Sequence, residues 1–480
     1  MTSLYIEPTL RLEEKPLPLP YSSRRAKFFA VSNSTRQGNI SRILIDNLQN
    51  CILQTSDVYL NYTVQADLVS TGVNSATPPT DKGLFLEKDV VLTDNAANLL
   101  IQKLEIMSNG VSILSCDNYG EIQTMLHVAN NGTEQRGLMQ VLGGGSRTLG
   151  VNDNGETGDA IAKNEAQPHL SGTTIRSTYG PMTDTSLTTT TGSTPRISFS
   201  IPILGMLSSS LKNIPLTFLD SALEVQITWS NNAQKVFVSK EPVADFQITS
   251  ASVMKFDDIS LDTRLNFYEE SSMEVIKKVN NVNSNEPIVY NGIQYKSSLA
   301  TISKDQQGST QKIETLVPNS RFRCLNSILY GGFPQPNGAN SYLPSLPTNS
   351  QQYRVGNMLF PNNPINRLPD VILQTQECFS SCDISLSKTL MTNKQTSFNS
   401  RQADPVVAAD YLNPRGVVGV NLQTFSEGGL AGIDSTNLTI SSLQGIQGIT
   451  ATEQSNSVYC SVITVAYQLD PNTGRIAVSF

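Results

Sequence analysis

Residues 221–229 read SALEVQITW. Ser221, Leu223, Val225, Ile227 and Trp229 fall on one side of an extended chain, and Ala222, Glu224, Gln226 and Thr228 on the other. A period of two is that of a strand with one face buried. RISFSIPIL, ADFQITSASVMKFDDISL, GVVGVNLQTF and VYCSVITVAYQLD are strand-like as well. A chain built from such pieces must lay their apolar faces against one another in packed sheets.

At 480 residues the chain is too long for one core, since cores stop growing at about 250–300 residues, so two large domains are expected. Only 16% of residues are charged, against about 25% in an average domain, and Ser, Thr, Asn and Gln make up the deficit. That composition suits an all-β protein with long polar loops and few charged helical surfaces.

Turn formers divide the chain into an order that occurs twice. In the first half, KLEIMSNGVSIL carries Asn109-Gly110 between alternating flanks, a strong hairpin signal because both residues tolerate positive φ. DNYGEIQTMLHVA follows, with Asp117 as the expected cap of a short helix whose inner face is Ile122, Met125, Leu126 and Ala129. Between residues 143 and 195 periodicity stops in a Gly-, Thr- and Ser-rich stretch, and strands then return. The second half repeats this order. A second Asn-Gly hairpin is expected at Asn291-Gly292, then a strand (SRFRCLNSILYGG) and a loop rich in turn formers. PDVILQTQECFSSC reads as a short helix with Pro369 in its first turn, and strands close the chain, DPNTG turning the last pair.

Two antiparallel eight-stranded sandwiches follow. Each exceeds the ~100 residues of an immunoglobulin domain and lacks its Cys…Trp…Cys signature, so the jelly roll fits better. The expected division is an extended arm over 1–27, a first roll over 28–262 with the long loop 143–195, a connector over 263–287 with a short helix or strand, and a second roll over 288–480 with a loop at 331–353. Pro16, Pro18 and Pro20 favour an extended arm because each fixes its φ and removes a donor. The N-terminus lacks the basic start and continuous apolar core of a signal peptide, and no run of 18 apolar residues is present to span a membrane.

A net charge of −7 argues against a direct grip on nucleic acid, which needs Lys/Arg clusters to displace counterions. The basic knot Arg24, Arg25 and Lys27 reads as a solvated charge run rather than a contact with an anionic surface.

Residues that would carry chemistry are scattered. The two histidines, His127 and His169, have no evident partners, and no GxSxG, HExxH, GxxxxGK[ST] or GxGxxG motif is present. Gly143-Gly144-Gly145-Ser146 precedes polar loop rather than a helix, and residues 152–159 (NDNGETGD) lack calcium-loop spacing. Asp257-Asp258 and Glu269-Glu270 are sequential pairs, and neighbours on a strand point to opposite faces, so neither pair can flank one glycosidic bond. Trp229 is expected in a core rather than stacked on a sugar. The cysteines Cys51, Cys116, Cys324, Cys378, Cys382 and Cys460 read as free buried thiols; Cys378 and Cys382 would share a helix face but lack metal partners. No catalytic, cofactor-binding or metal-binding residue is assigned, and no enzyme is expected.

Taken in order, several stretches resemble the double jelly-roll major capsid proteins of the adenovirus-hexon lineage, especially those of virophages and polinton-like viruses. They are DNAANLLIQKLEIMSNGVSIL with DNYGEIQTML, RISFSIPILGML with IPLTFLDSALEVQITW, and GGLAGIDSTNLTISSLQ with VYCSVITVAYQLDPNTGRIAVSF. The set spans most of residues 25–480. The resemblance implies a shell protein of a double-stranded DNA virus, located in the virion capsid after synthesis in the host cytoplasm. It implies a homotrimer whose six rolls tile like a hexamer in an icosahedral shell, with neighbouring capsomers and with minor capsid and penton proteins at vertices as partners. The long loops would rise as outer towers able to contact a host receptor or glycan, and the arm would reach inward or to neighbours. A β-sandwich surface binding protein, lectin- or fibre-like, is the competing expectation.

Overall fold

A computed structural model of the chain describes residues 20–67, 70–71, 90–130 (except 94), 196–203, 213–239, 247–279, 287–302, 312–336 (except 318–319), 342–379 (except 345 and 347–349), 416–423, 432–445 and 455–479 (except 471). The first half opens with β1 (Ser22–Phe29), β2 (Ser34–Arg36), β3 (Ile40–Ile45), β4 (Cys51–Asp67), β5 (Ser70–Thr71) and β6 (Val90–Leu92). Helix α1 (Ala96–Leu99) leads into β7 (Ile101–Ser108), β8 (Val111–Asp117) and helix α2 (Tyr119–Asn130). Then come β9 (Arg196–Pro202), β10 (Asn213–Pro215), β11 (Leu223–Trp229), β12 (Phe237–Ser239), β13 (Gln247–Ile248) and β14 (Val253–Phe267).

One sheet has the order β1-β14-β4, with β9 and β10 also on β4; the other has the order β3-β11-β7-β8. Numbered along the chain, the main strands are β1, β3, β4, β7, β8, β9, β11 and β14. The sheets then read 1-8-3-6 and 2-7-4-5, which is the jelly roll.

After helix α3 (Glu270–Val279) the second half contributes β15 (Ile288–Ile302), β16 (Lys312–Leu316), β17 (Leu325–Pro334), β18 (Ser350–Val355) and β19 (Met358–Ile365). Helix α4 (Leu368–Glu377), β20 (Val418–Asn421), β21 (Ile440–Gly445), β22 (Ser455–Asp470) and β23 (Arg475–Ser479) follow. The sheets β15-β22-β17-β20 and β16-β21-β18-β19 again read 1-8-3-6 and 2-7-4-5, with β23 added to β22. In both rolls a helix lies between the fifth and sixth main strands. The repeated order of the sequence is thus a repeated topology.

Strand β11 shows why the first roll closes. Leu223, Val225, Ile227 and Trp229 are buried, and Val225 stands in register between Ile43 of β3 and Ile106 of β7. Trp229 stacks on Phe256 of the facing sheet, ring centroids 4.0 Å apart, with Tyr62 at 4.8 Å. Both polar tips are satisfied: Trp229 Nε1 donates to Ser41 Oγ (2.8 Å) and the Tyr62 hydroxyl to the Ala97 carbonyl (2.6 Å). Asn109 (φ 50°) and Gly110 (φ 74°) make the β7–β8 turn with both central residues left-handed, as a two-residue hairpin of matching twist requires. On α2, Ile122, Met125 and Ala129 are buried and Leu126 is partly buried.

Several expectations are corrected. Residues 22–27, expected in the arm, belong to β1, where Ser22–Phe29 pair with β14. Asn291-Gly292 makes no hairpin: it lies inside β15, which pairs with β22 without a break, because tertiary pairing overrides a local turn preference. Asp117 ends β8 rather than capping α2, and Asn118 (φ 51°) makes the corner. Residues 263–267, expected in the connector, complete β14, while α3 supplies the connector's helix. The loop expected at 331–353 is shorter, since β17 runs to Pro334 and β18 starts at Ser350. The 143–195 stretch lies outside the described residues.

Replacing Trp229 by Ala removes the ring that joins the two sheets of the first roll. It is expected to cost about 3–5 kcal/mol of that roll's stability, whereas Thr228→Ala on the outer face should change it by less than about 0.5 kcal/mol. Denaturant unfolding followed by tryptophan-independent circular dichroism checks both.

Candidate functional site

The residues singled out for chemistry are not brought together. His127 is buried on α2, and His169 lies outside the described residues. Asp257 pairs with Lys255 (3.2 Å), and Asp258 (φ 55°) sits at the register break of β14. Glu269 and Glu270 are exposed where α3 begins. Trp229 is fully buried, so no face of it is offered to a sugar. Cys51, Cys116, Cys324 and Cys460 are buried free thiols, Cys378 is partly buried, and Cys382 lies outside the described residues, as do residues 143–146 and 152–159. Burial pushes the Cys51 thiol up to about 11 and those of Cys116 and Cys378 up to about 12, so they stay protonated and unreactive at neutral pH. Among the described residues no three His, Cys, Asp or Glu side chains gather as a metal site.

What the fold does bring together is the seam between the rolls, which sequence reading did not find. Strand β8 is the end strand of its sheet, and β15 is the end strand of a sheet in the other roll. An end strand presents unpaired carbonyls, a liability that must be covered. Here Gln294 Nε2 donates to the Ile113 carbonyl (2.9 Å) and Lys296 Nζ to the Ser115 carbonyl (2.8 Å). Two β15 side chains at the i, i+2 spacing of one strand face thus reach two carbonyls at the same spacing on β8. Burial lowers the pKa of the Lys296 ammonium, with Cys116 and Asp117 opposing. Asn118 Nδ2 donates to Ser297 Oγ (2.9 Å) at the end of this row.

The two helices meet as well. Gln376 on α4, buried, donates through Nε2 to the Ala129 carbonyl in the last turn of α2 (2.7 Å), satisfying a carbonyl that a helix end leaves free. At the other end of α2, Glu121 accepts from Lys235 Nζ (2.6 Å) and from the hydroxyl of Tyr342 in the second roll (3.2 Å). The Lys235 ammonium also lies 5.3 Å from the Tyr342 ring centroid. Burial, with the Glu121 carboxylate beside it, holds the Tyr342 hydroxyl well above the usual phenol range. The final hairpin closes the row: the Asp220 amide donates to the Gly474 carbonyl (3.2 Å), and a side chain at Gly474 (φ 66°) would collide with the Asp220 backbone.

A cleft of about 560 Å³ opens along the seam, bounded by Asp117 of the first roll and by Lys296, Arg321, Phe322 and Leu438 of the second. Among the described residues that line it, Asp117 is the one carboxylate. The basic knot lies on β1, where Arg25 pairs with Asp262 (3.5 Å) and the Arg24 guanidinium lies over the Phe267 ring (4.6 Å). Large apolar side chains remain exposed on both rolls, Phe29, Val31 and Ile40 on the first and Leu316, Met358 and Leu359 on the second.

Two jelly rolls of one topology, joined in one chain by a hydrogen-bonded seam, define the double jelly-roll class. No family model matches the chain, and no curated protein matches it in sequence. Solved structures do. The chain is similar to one in the Sputnik virophage (TM-score 0.58, 10% identity, covering 100% of this chain and 93% of that one). It is similar to the mavirus major capsid protein (TM-score 0.55, 9% identity, 99% and 93% covered) and the Faustovirus major capsid protein (TM-score 0.55, 8% identity, 96% and 92% covered). At such identities the likeness is one of fold, and it runs through both rolls.

Two outcomes are expected. Iodoacetamide applied to the native protein at pH 7.5 should leave Cys51, Cys116 and Cys378 unlabelled in peptide maps, and unfolding should expose all three. Lys235→Met leaves Glu121 without its cation and should cost roughly 2–4 kcal/mol, less than the ~3–5 of a fully enclosed pair because Lys235 keeps some solvent contact. Glu121→Gln combined with Lys235→Met should recover part of that loss in denaturant melts.

Proposed function

We propose that this chain is a major capsid protein and not an enzyme, three copies of which form a pseudo-hexameric trimer that tiles an icosahedral shell around a DNA genome. The observation that carries this reading is the full-length match, through both rolls and in a single order, to major capsid proteins of mavirus and Faustovirus. Physical chemistry is consistent with it. A shell needs rigid blocks with broad flanks, and two sandwiches joined at a seam make one. Three-fold closure of a two-roll subunit puts six similar rolls around one axis, so a single chain supplies a six-sided tile. The exposed Phe29, Val31 and Ile40, and the low charge density, suit flanks that become buried between copies.

On this reading the chain resides in the virion shell, is made in the host cytoplasm, and meets minor capsid and penton proteins at the vertices. The N-terminal segment serves as the arm, the 143–195 stretch and the segment between β17 and β18 as outward loops, and receptor or glycan contacts fall to those loops. A lectin-like binding protein would present aromatic rings around a pocket, whereas Trp229, Tyr62, Phe256 and Tyr330 are buried between the sheets.

Light scattering of the purified chain should give three times its 52.2 kDa mass, and electron microscopy should show hexagonal tiles or particles. A stable monomer that binds glycans and never forms arrays would overturn the proposal.

A further inference from the structure

The two cores share a topology and differ in chemistry. Between the sheets of the first roll lie Trp229, Phe256, Tyr62 and Phe199, and the indole and phenol tips among them have partners. Between the sheets of the second roll the register stacks polar side chains. Tyr353 of β18 stands opposite Ser442 of β21, and Gln351 opposite Gln444. Across the gap, Tyr330 of β17 stands opposite Tyr459 of β22, their ring centroids 5.2 Å apart, with Ser461 two residues along on the same face. All of these are at least 98% buried.

Few of these groups satisfy one another. Gln351 Nε2 donates to Ser442 Oγ (2.7 Å), and Tyr330 and Ser457 share a long contact of 3.4 Å. Gln351 Oε1, both polar atoms of Gln444, the Tyr353 and Tyr459 hydroxyls and Ser461 Oγ have no hydrogen-bond partner among the described residues. The Gln444 amide beside the Tyr330 and Tyr459 phenols, Ser442 and Thr315 beside Tyr459, and Gln351 beside Tyr353 lie close enough to favour the ionised phenols, but the Tyr353 and Tyr459 hydroxyls and the Gln444 amide do not reach hydrogen-bond geometry. Six buried polar atoms on three strands of two facing sheets are more than a native core leaves unpaired, since each costs about 1–3 kcal/mol when dry.

We propose that the second roll encloses a site for ordered water, bound by the Gln444 amide, the Tyr353 and Tyr459 hydroxyls, Gln351 Oε1 and Ser461 Oγ. Water fits the chemistry because the set mixes donors and acceptors. An anion would leave the acceptor-only oxygens Gln351 Oε1 and Gln444 Oε1 without a donor, and a cation would leave the Gln444 NH2 group without an acceptor. A buried water makes about three hydrogen bonds, and these six atoms supply enough for two. The inference stands on the core of the second roll alone and does not depend on the chain being a shell protein.

The decisive measurement is a high-resolution map of the unaltered protein. Water peaks within about 2.7–3.2 Å of the Gln444 amide and the Tyr353 and Tyr459 hydroxyls are expected. A dry core, with these side chains turned onto one another, would sink the proposal, as would a metal ion bound by the oxygens. Substitution gives an independent reading. In a hydrated core Gln444→Met strands the water and both phenols, and the thermal midpoint should fall by about 2–4 °C or more. In a dry core the same change removes an unpaired amide, so an unchanged or raised midpoint would overturn the site. If that variant fails to fold, the map decides.

Discussion

The architecture depends on how the free edge of β8 is covered. A jelly roll buries its sheet faces but not its sheet ends, and the outward carbonyls of Ile113 and Ser115 would invite any passing strand. Gln294 and Lys296 answer them from the other roll, with side chains in place of a backbone ladder. Such contacts are directional where an apolar interface is not. A shift of β15 by one residue would turn both donors to the opposite face and leave both carbonyls bare. The Gln376–Ala129 bond, the Glu121–Lys235–Tyr342 cluster and the Asp220–Gly474 contact then fix the remaining degrees of freedom. Two sandwiches that could rock on a linker are held as one block.

Within that block, topology is shared and interior chemistry is not. Strand order follows from which strands pair, and pairing needs only alternation and length. What fills the space between the sheets answers to a different requirement, volume and polar satisfaction. One roll meets it with stacked aromatics whose polar tips are tied off, the other with tyrosines, glutamines and serines. This explains how two halves without residue-by-residue similarity reach the same 1-8-3-6 and 2-7-4-5 sheets.

The ionisable side chains of the described residues are held quiet by burial and pairing. Thiols are held protonated by burial, and the described carboxylates that pair do so with neighbouring cations rather than with each other.

Much of the fold was legible in the sequence because its signals are local. The alternation in LEVQITW fixed which side chains of β11 are buried, Asn109-Gly110 announced its turn, Pro369 marked the start of α4, and the repeated order announced two rolls. The identical local signal at Asn291-Gly292 failed, because fifteen residues of pairing with β22 outweigh a two-residue turn preference. Arg24, Arg25 and Lys27 read as a solvated run on an arm, and only their pairing with β14 made them a strand. The seam had no sequence signal, since Gln294 and Lys296 lie about 180 residues from the carbonyls they reach. Alternation, turns and composition are properties of neighbours along the chain, and these the sequence determined by itself. Which edge meets which, and which buried polar group finds a partner, are properties of neighbours in space, and only the folded structure decided them.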